Sequence, residues 1–323
     1  MATYKEIFGK KIQSLASDIP AAQGEGQIWY NETSDTFKTS VLTEAWASGG
    51  VMTLGRYNAF GYGTQTAAVT SSNDGTYVTT TEEYNGSSWA GAGALNTGRG
   101  GGRAGGTQTD GIVFAGASGG PNSTATETYD GTSYTTSPAT MAAGRRNLAS
   151  STNSSAPTAT AFGGFEAAAS AVTEEFNGTS WATSPGSMTT ARYKLGGAGT
   201  QTAALAFGGI DGPGGTVQSV TEAYDGTSWA GGGALPGAED QITGTGVSTA
   251  ALAFGGNPGV TTTLGYDGTA WSSKPALATG RGYMMGCGTG TAALGIGGIP
   301  PAPGTTATEE FTVAAAVKTV TTS

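Results

Sequence analysis

The side chains that could do chemistry in this sequence are few, and most recur at one spacing. Carboxylates stand at Glu82-Glu83, Glu127, Glu174-Glu175, Glu222 and Glu309-Glu310, one group in each stretch of about 45 residues. Arginines recur in step with them, at Arg56, Arg99, Arg145, Arg192 and Arg281. Two carboxylates about 5–10 Å apart across a sugar could cleave a glycosidic bond. Equivalent positions of a repetitive fold lie far apart, however, so each Glu is expected to meet an Arg rather than a substrate. The run Gly98-Arg99-Gly100-Gly101-Gly102-Arg103-Ala104-Gly105-Gly106 looks like a phosphate-cradling loop, yet no helix follows it and the repeat accounts for it. Cys287 falls at a strand position and is expected to be buried and inert. Sequons at Asn31, Asn85 and Asn177 coincide with turns.

Composition narrows the chemistry further. The chain has no His, which removes the commonest general base and the commonest transition-metal ligand. A single cysteine forms neither an internal disulfide nor a thiolate cage. No catalytic set emerges, and neither a metal nor a cofactor is expected. The net charge of −9, with 14 basic residues scattered along the chain, leaves no footprint for nucleic acid. No apolar run approaches the roughly 20 residues that cross a bilayer. Lys5, Glu6, Lys10 and Lys11 interrupt the N-terminal apolar residues, which argues against a signal peptide. A soluble product made in the cytoplasm is expected.

The elements that position these residues follow from an internal repeat. One aromatic recurs at Trp46, Trp89, Tyr134, Trp181, Trp229 and Trp271, every 42–48 residues. About ten residues later comes the arginine, replaced by Glu239 in the fifth copy, where Leu264-Gly265 also replaces the acidic pair. A small apolar run ends in paired glycines, as in Ala161-Phe162-Gly163-Gly164 and Ala206-Phe207-Gly208-Gly209. Asn-Gly or Asp-Gly follows an aromatic at Tyr84, Tyr129, Phe176, Tyr224 and Tyr266, a hairpin signal read here as a type I′ turn. Each unit therefore reads as four short strands, the signature of a propeller blade. Aliphatic residues are scarce, so the repeated Trp is expected to fill the gap between blades, while 57 glycines let crowded strands approach.

The succession of Arg, Gly-Gly, Tyr-Asp-Gly and Trp resembles kelch repeats, the propeller units also found in the central domain of galactose oxidase. The variant Thr200-Gln201-Thr202-Ala203-Ala204-Leu205-Ala206-Phe207-Gly208-Gly209, with Tyr224-Asp225-Gly226-Thr227-Ser228-Trp229, is similar to kelch-like proteins of tailed, especially marine, bacteriophages. The lead-in from Gly26 to Ser34 resembles such phage structural proteins too, and the resemblance spans residues 24 to 312. It implies an all-β, six-bladed propeller of four-stranded blades. A galactose oxidase-like copper site would need two His ligands and is excluded. A sialidase Asp-box separates its Asp and Gly by one residue, whereas Asp225 and Gly226 are adjacent.

Closure and attachment complete the reading. The strand around Trp46 is expected to finish the sixth blade, giving a propeller over residues 27–323 closed by N- and C-terminal strands. Residues 27–38 form a hairpin beside that closure, and the tail from Val313 is an extra strand or a loose end. Residues 1–26 are expected to form a helical arm, with Ile7, Phe8, Ile12 and Leu15 at helical spacing as the anchor. The function expected is a non-enzymatic phage virion protein, of tail, fibre or capsid decoration, bound to other virion proteins through this arm. The alternative is a propeller that recognises a host glycan or receptor through the loops between second and third strands. Those loops nearly lack the aromatic platform that sugar sites use. Neither reading involves nucleic acid or membrane insertion.

Overall fold

Short segments with one aromatic and a Gly-containing turn at each end favour antiparallel pairing. The computed structural model describes residues 3–7, 10–23, 26–152, 158–300 and 302–320, and their strands form five four-stranded antiparallel sheets and one seven-stranded sheet whose last four strands make the sixth blade. Near the N-terminus lie β1 (Thr3–Ile7), β2 (Lys10–Leu15), β3 (Ile28–Asn31) and β4 (Thr36–Ser48). Blade one then contains β5 (Phe60–Gly63), β6 (Ala68–Ser71), β7 (Thr81–Tyr84) and β8 (Trp89–Ala92). Blade two has β9 (Arg103–Thr107), β10 (Asp110–Phe114), β11 (Thr126–Tyr129) and β12 (Tyr134–Thr136). Blade three has β13 (Ala149–Ser150), β14 (Thr158–Phe162), β15 (Thr173–Asn177) and β16 (Trp181–Thr183). Blade four has β17 (Gly196–Thr200), β18 (Ala203–Phe207), β19 (Thr221–Tyr224) and β20 (Trp229–Gly231). Blade five has β21 (Thr243–Val247), β22 (Ala250–Phe254), β23 (Thr263–Tyr266) and β24 (Trp271–Ser273). Blade six takes β25 (Met285–Gly288), β26 (Ala292–Ile296) and β27 (Thr308–Thr319), and its fourth strand is β4 from the other end of the chain.

The chain divides into two units, residues 46–311 and residues 1–45 with 312–323. This boundary differs from the expected one at residue 26, because β4 and β27 are long strands shared by both units. The second unit orders its strands β1-β2-β3-β4-β27. Among its described residues there is no helical arm. Residues 3–7 and 10–15 form an antiparallel hairpin with Lys5 opposite Ile12, and β2 then runs parallel to β3. A short isolated helix is marginal in water, and the β3–β4 hairpin supplies backbone partners that a helix would not use. Of the expected anchor residues, Ile7 lies in β1, Ile12 and Leu15 lie half-buried in β2, and Phe8 is outside the described residues. Among the described residues the only helical turn is a single 3-10 turn, Ala21–Gln23.

The hairpin at each third-to-fourth strand junction also differs from a type I′ turn. It is a four-residue loop between paired aromatics such as Tyr224 and Trp229. Only its glycine has positive φ, +94° at Gly226. The Asp225 carboxylate accepts the Thr227 and Ser228 amides at 2.8 and 2.7 Å, so the side chain makes the turn that a second positive φ would have made. Those amides hold the Asp225 carboxyl at about 2.

Aromatics join the blades. Each fourth-strand Trp lies between its own blade's aromatic and the preceding blade, where four of the five meet a Phe. Trp229 sits 5.0 Å from Tyr224 and 5.0 Å from Phe162, edge-on to the latter. Its indole nitrogen donates to Thr173 of the preceding blade at 2.8 Å, as Trp181 does to Thr126 and Trp271 to Thr221. The same contact closes the ring on both sides of the chain ends. Trp46 reaches Thr263 at 3.0 Å and Trp89 reaches Thr308 at 3.0 Å. In blade two the shorter Tyr134 bonds Ser71 and Tyr62 instead. Between innermost strands the spacing leaves no room for a side chain, since a Cβ on Gly197 would lie 2.6 Å from the Ser150 carbonyl.

Trp181 contacts Phe114, Phe176 and Thr126 at once. Its replacement by Ala is expected to destabilise the protein by roughly 3–5 kcal/mol, measured as a loss of urea midpoint, with Trp181→Phe losing clearly less.

Candidate functional site

Five arginines and five glutamates are buried together, one pair in each blade except the fifth. The pairs are Arg56–Glu82 at 3.0 Å, Arg99–Glu127 at 2.5 Å, Arg145–Glu174 at 2.6 Å, Arg192–Glu222 at 2.9 Å and Arg281–Glu309. Each guanidinium also donates to a main-chain carbonyl, as Arg192 does to Gly208 and Val220 at 2.6 and 3.0 Å. The second carboxylate oxygen accepts the amide of the residue that follows the buried Met or Leu preceding the arginine. Thr53 donates to Glu82 and Thr189 to Glu222, at 2.7 and 2.6 Å. Burial pulls the Arg56, Arg145, Arg192 and Arg281 guanidiniums down from their usual range, and the paired Glu opposes it. Burial pushes Glu82 up, but donation from Thr53 and Arg56 outweighs it and leaves its carboxyl below the ordinary value.

The second Glu of each acidic pair has a different partner. Glu83, Glu175 and Glu310 accept the phenols of Tyr129, Tyr224 and Tyr84 from the neighbouring blade, at 2.8, 2.7 and 2.5 Å. The repeated carboxylates are thus engaged in holding strands together. In blade five Leu264 is buried where the other blades place Glu, and it packs with Leu235 and Ile242. Loss of both charged partners leaves an apolar contact at Leu264. The half-buried Glu239 carboxyl is pushed up by burial and by Asp240, and one oxygen of the buried Asp240 has no partner among the described residues.

Two residues past each arginine the backbone turns left-handed in every blade. The φ angles are +46° at Asn58, +70° at Gly101, +52° at Asn147, +56° at Lys194, +57° at Gln241 and +52° at Tyr283. A bulky residue rarely adopts this conformation. Here it lets six amides bond six carbonyls in a closed circle. Gly101 donates to Asn58, Asn147 to Gly101, Lys194 to Asn147, Gln241 to Lys194, Tyr283 to Gln241 and Asn58 to Tyr283, all at 2.6–3.0 Å. This circle forms the mouth of a channel lined by inner-strand residues of all six blades.

The mouth collects the side chains best placed to meet a ligand. The loops between second and third strands bridge to the first-strand starts, for example Phe165 to Arg146, Ile210 to Tyr193 and Ile299 to Gly282. Phe165 and Tyr193 lie 5.2 Å apart, and Tyr57 and Tyr283 lie 6.3 Å apart. The Lys194 ammonium sits 5.6 Å from the Tyr193 ring and 5.8 Å from the Tyr283 ring, linking the two aromatic pairs. Arg146 covers Phe165 at 5.6 Å. Asn58 donates to Asp74 and, over side-chain-free Gly101, to Asn147, both at 2.8 Å. Tyr57, Phe165, Tyr193 and Tyr283 are all half-exposed. Burial raises the Tyr283 phenol well above its ordinary value, and the Asp240 and Asp74 carboxylates add to the shift.

None of these mouth residues belongs to a repeated marker, so reading the markers passes over them. The available signal for Tyr57, Asn58, Arg146, Tyr193, Lys194 and Tyr283 was their offset of one or two positions after each arginine, and Phe165 and Asp74 had none. The Thr-Gln-Thr turns carried a second signal, since Gln108 and Gln201 donate to carbonyls of the preceding blade, at 2.9 Å to Tyr84 and to Phe176. Cys287 is fully buried, and burial pushes its thiol up to about 12. Among the described residues no group of three or more His, Cys, Asp or Glu side chains is placed to hold a metal ion, and no helix is long and apolar enough to cross a membrane.

Six sheets joined edge to centre around a channel define a β-propeller. Comparison with solved structures agrees: the structure of YjhT superposes with a TM-score of 0.68 at 12% identity, over 83% of this chain and 99% of that one. At that identity the likeness speaks for the fold alone. No protein-family model matches the sequence, and no curated protein matches it.

Blade five supplies the design of a test. Arg192→Met leaves Glu222 buried without its partner and is expected to cost about 3–5 kcal/mol. Adding Glu222→Leu, which copies the apolar contact of Leu264, should recover most of that loss in a double-mutant cycle of urea midpoints.

Proposed function

We propose that this chain is a non-enzymatic structural protein of a tailed-phage particle, a kelch-like propeller carried by a separate attachment unit. The observation that supports it most is the unit made from both chain ends. Among its described residues only Ser14, Trp29, Tyr30, Asn31 and Ser40 are buried, while Ile28 and Leu42 are 43% and 54% exposed. Its edge strand β1 pairs with β2 alone among the described strands. An open strand edge is a ready template for another chain, and a thin core gains most from a partner. The sequence resemblance to phage kelch-like proteins supplies the setting. The repeated ionisable groups, bound to one another inside the blades, serve the scaffold. Attachment passes through a β-sheet, in place of the helical arm. Deleting residues 1–22 is expected to leave the propeller folded, by its tryptophan fluorescence, and to abolish incorporation into particles. Normal incorporation would refute the attachment role.

A second reading, recognition of a host glycan, draws on the mouth. The half-exposed rings of Tyr57, Phe165, Tyr193 and Tyr283, interleaved with Asn58, Asp74, Arg146 and Lys194, make an aromatic and polar surface. Phe165 comes from a second-to-third-strand loop, and Tyr57, Tyr193 and Tyr283 lie beside such loops and add the aromatics that are scarce in them. A glycan array with the intact protein should give hits that Tyr193→Ala weakens at least tenfold. An unchanged profile would exclude the mouth as the receptor.

A further inference from the structure

One charged residue lines the central channel. Arg103 stands four residues after the paired arginine of blade two, where the other blades place Phe60, Ala149, Gly196, Thr243 and Met285. Among the described residues its guanidinium has no carboxylate within ion-pair distance, and its hydrogen bond is to the Gly102 carbonyl at 2.8 Å. The other titratable group that acts on it is the Tyr283 phenol. Asp240 and Asp74 act on Tyr283 instead. Burial lowers the guanidinium to about 10, so it remains positive at neutral pH. The side chain is half-buried, and a partly desolvated charge without a carboxylate partner is costly. Arg99 of the same blade, by contrast, is matched by Glu127.

A second observation points to the same space. The Thr152 hydroxyl lines this channel, is enclosed, and has no hydrogen-bond partner among the described residues. Buried hydroxyls are nearly always satisfied. The channel holds a cavity of about 30 Å³, and five of its lining residues are glycines: Gly61, Gly196, Gly197, Gly244 and Gly286. The Gly98–Gly106 run that resembled a phosphate cradle delivers Arg103 into this space.

We infer that the channel binds a small monoanion, a halide or a compact carboxylate, through the Arg103 guanidinium with the Thr152 hydroxyl as donor. Such an ion neutralises the lone guanidinium and gives the hydroxyl its acceptor. Binding to the folded state alone stabilises it in proportion to the logarithm of ligand concentration.

Crystals of the full chain soaked in sodium bromide test the site directly. An anomalous peak is expected within hydrogen-bond distance of Arg103. A peak that sodium formate displaces marks a site open to carboxylates, and one that formate leaves in place marks a halide site. In solution the melting temperature of the wild type should rise with bromide or formate, and Arg103→Gln should lose the part of that rise above the common salt effect. Bromide found on surface groups only, an adventitious ion only, would overturn the proposal. So would equal salt responses in the two proteins. The wild-type peak decides the matter if Arg103→Gln does not fold.

Discussion

The buried guanidinium–carboxylate pair is the interaction on which the rest of the propeller depends. In one geometry it fixes three pieces of backbone: the end of the second strand, the start of the third, and the segment leading into the first. Arg192 with Glu222, Gly208, Val220 and Thr189 shows the whole set. Two desolvated charges are costly separately, and they are tolerated here because several hydrogen bonds hold each pair, although Arg192 Nε has no partner among the described residues. The residue two positions after the arginine stands at the channel mouth in a left-handed conformation, and Gln241 does the same in blade five without an ion pair. The circle of six main-chain hydrogen bonds follows from that placement.

Blade-to-blade cohesion rests on aromatic stacking and directional bonds rather than on aliphatic bulk. A Trp indole can fill the wedge between two sheets and give its single N–H to the preceding blade's Thr. Leu or Ile would fill the wedge but leave that hydroxyl unanswered. This explains how a chain poor in aliphatic residues acquires a core. It also explains why the closure between blades six and one is equivalent to the other joints: Trp46 and Trp89 make the same contact to Thr263 and Thr308 that internal tryptophans make.

A framework this repetitive leaves few positions free to vary, and those positions gather at one place. The first two residues after each arginine differ in every blade and surround the mouth, joined there by the second-to-third-strand loops. The same freedom puts Arg103 into the channel. Scaffold and site are separated by a single residue step along the chain, which is how a symmetric fold carries an asymmetric surface.

Much of this was legible in the sequence for a physical reason: contacts made once per blade impose one residue type per repeat. The Trp and Arg spacings, the Glu in step with the Arg, and the joint loss of both at Glu239 and Leu264 all reflect contacts that recur with the fold. Pairing of Trp46 with the last blade followed because a ring of sheets tolerates no open edge. The residues outside the repeat had no such redundancy. Residues 3–15 have apolar groups at helical spacing, yet they form a hairpin, because β3 and β4 offered backbone partners that only the tertiary structure brings near. The Asp-Gly turns were recognisable as turns, but the carboxylate cap that shapes them depends on where the loop amides point. The mouth was least legible of all. Tyr57, Phe165, Tyr193 and Tyr283 lie 226 residues apart at the extremes, and only the closing of the ring decides that they face one another.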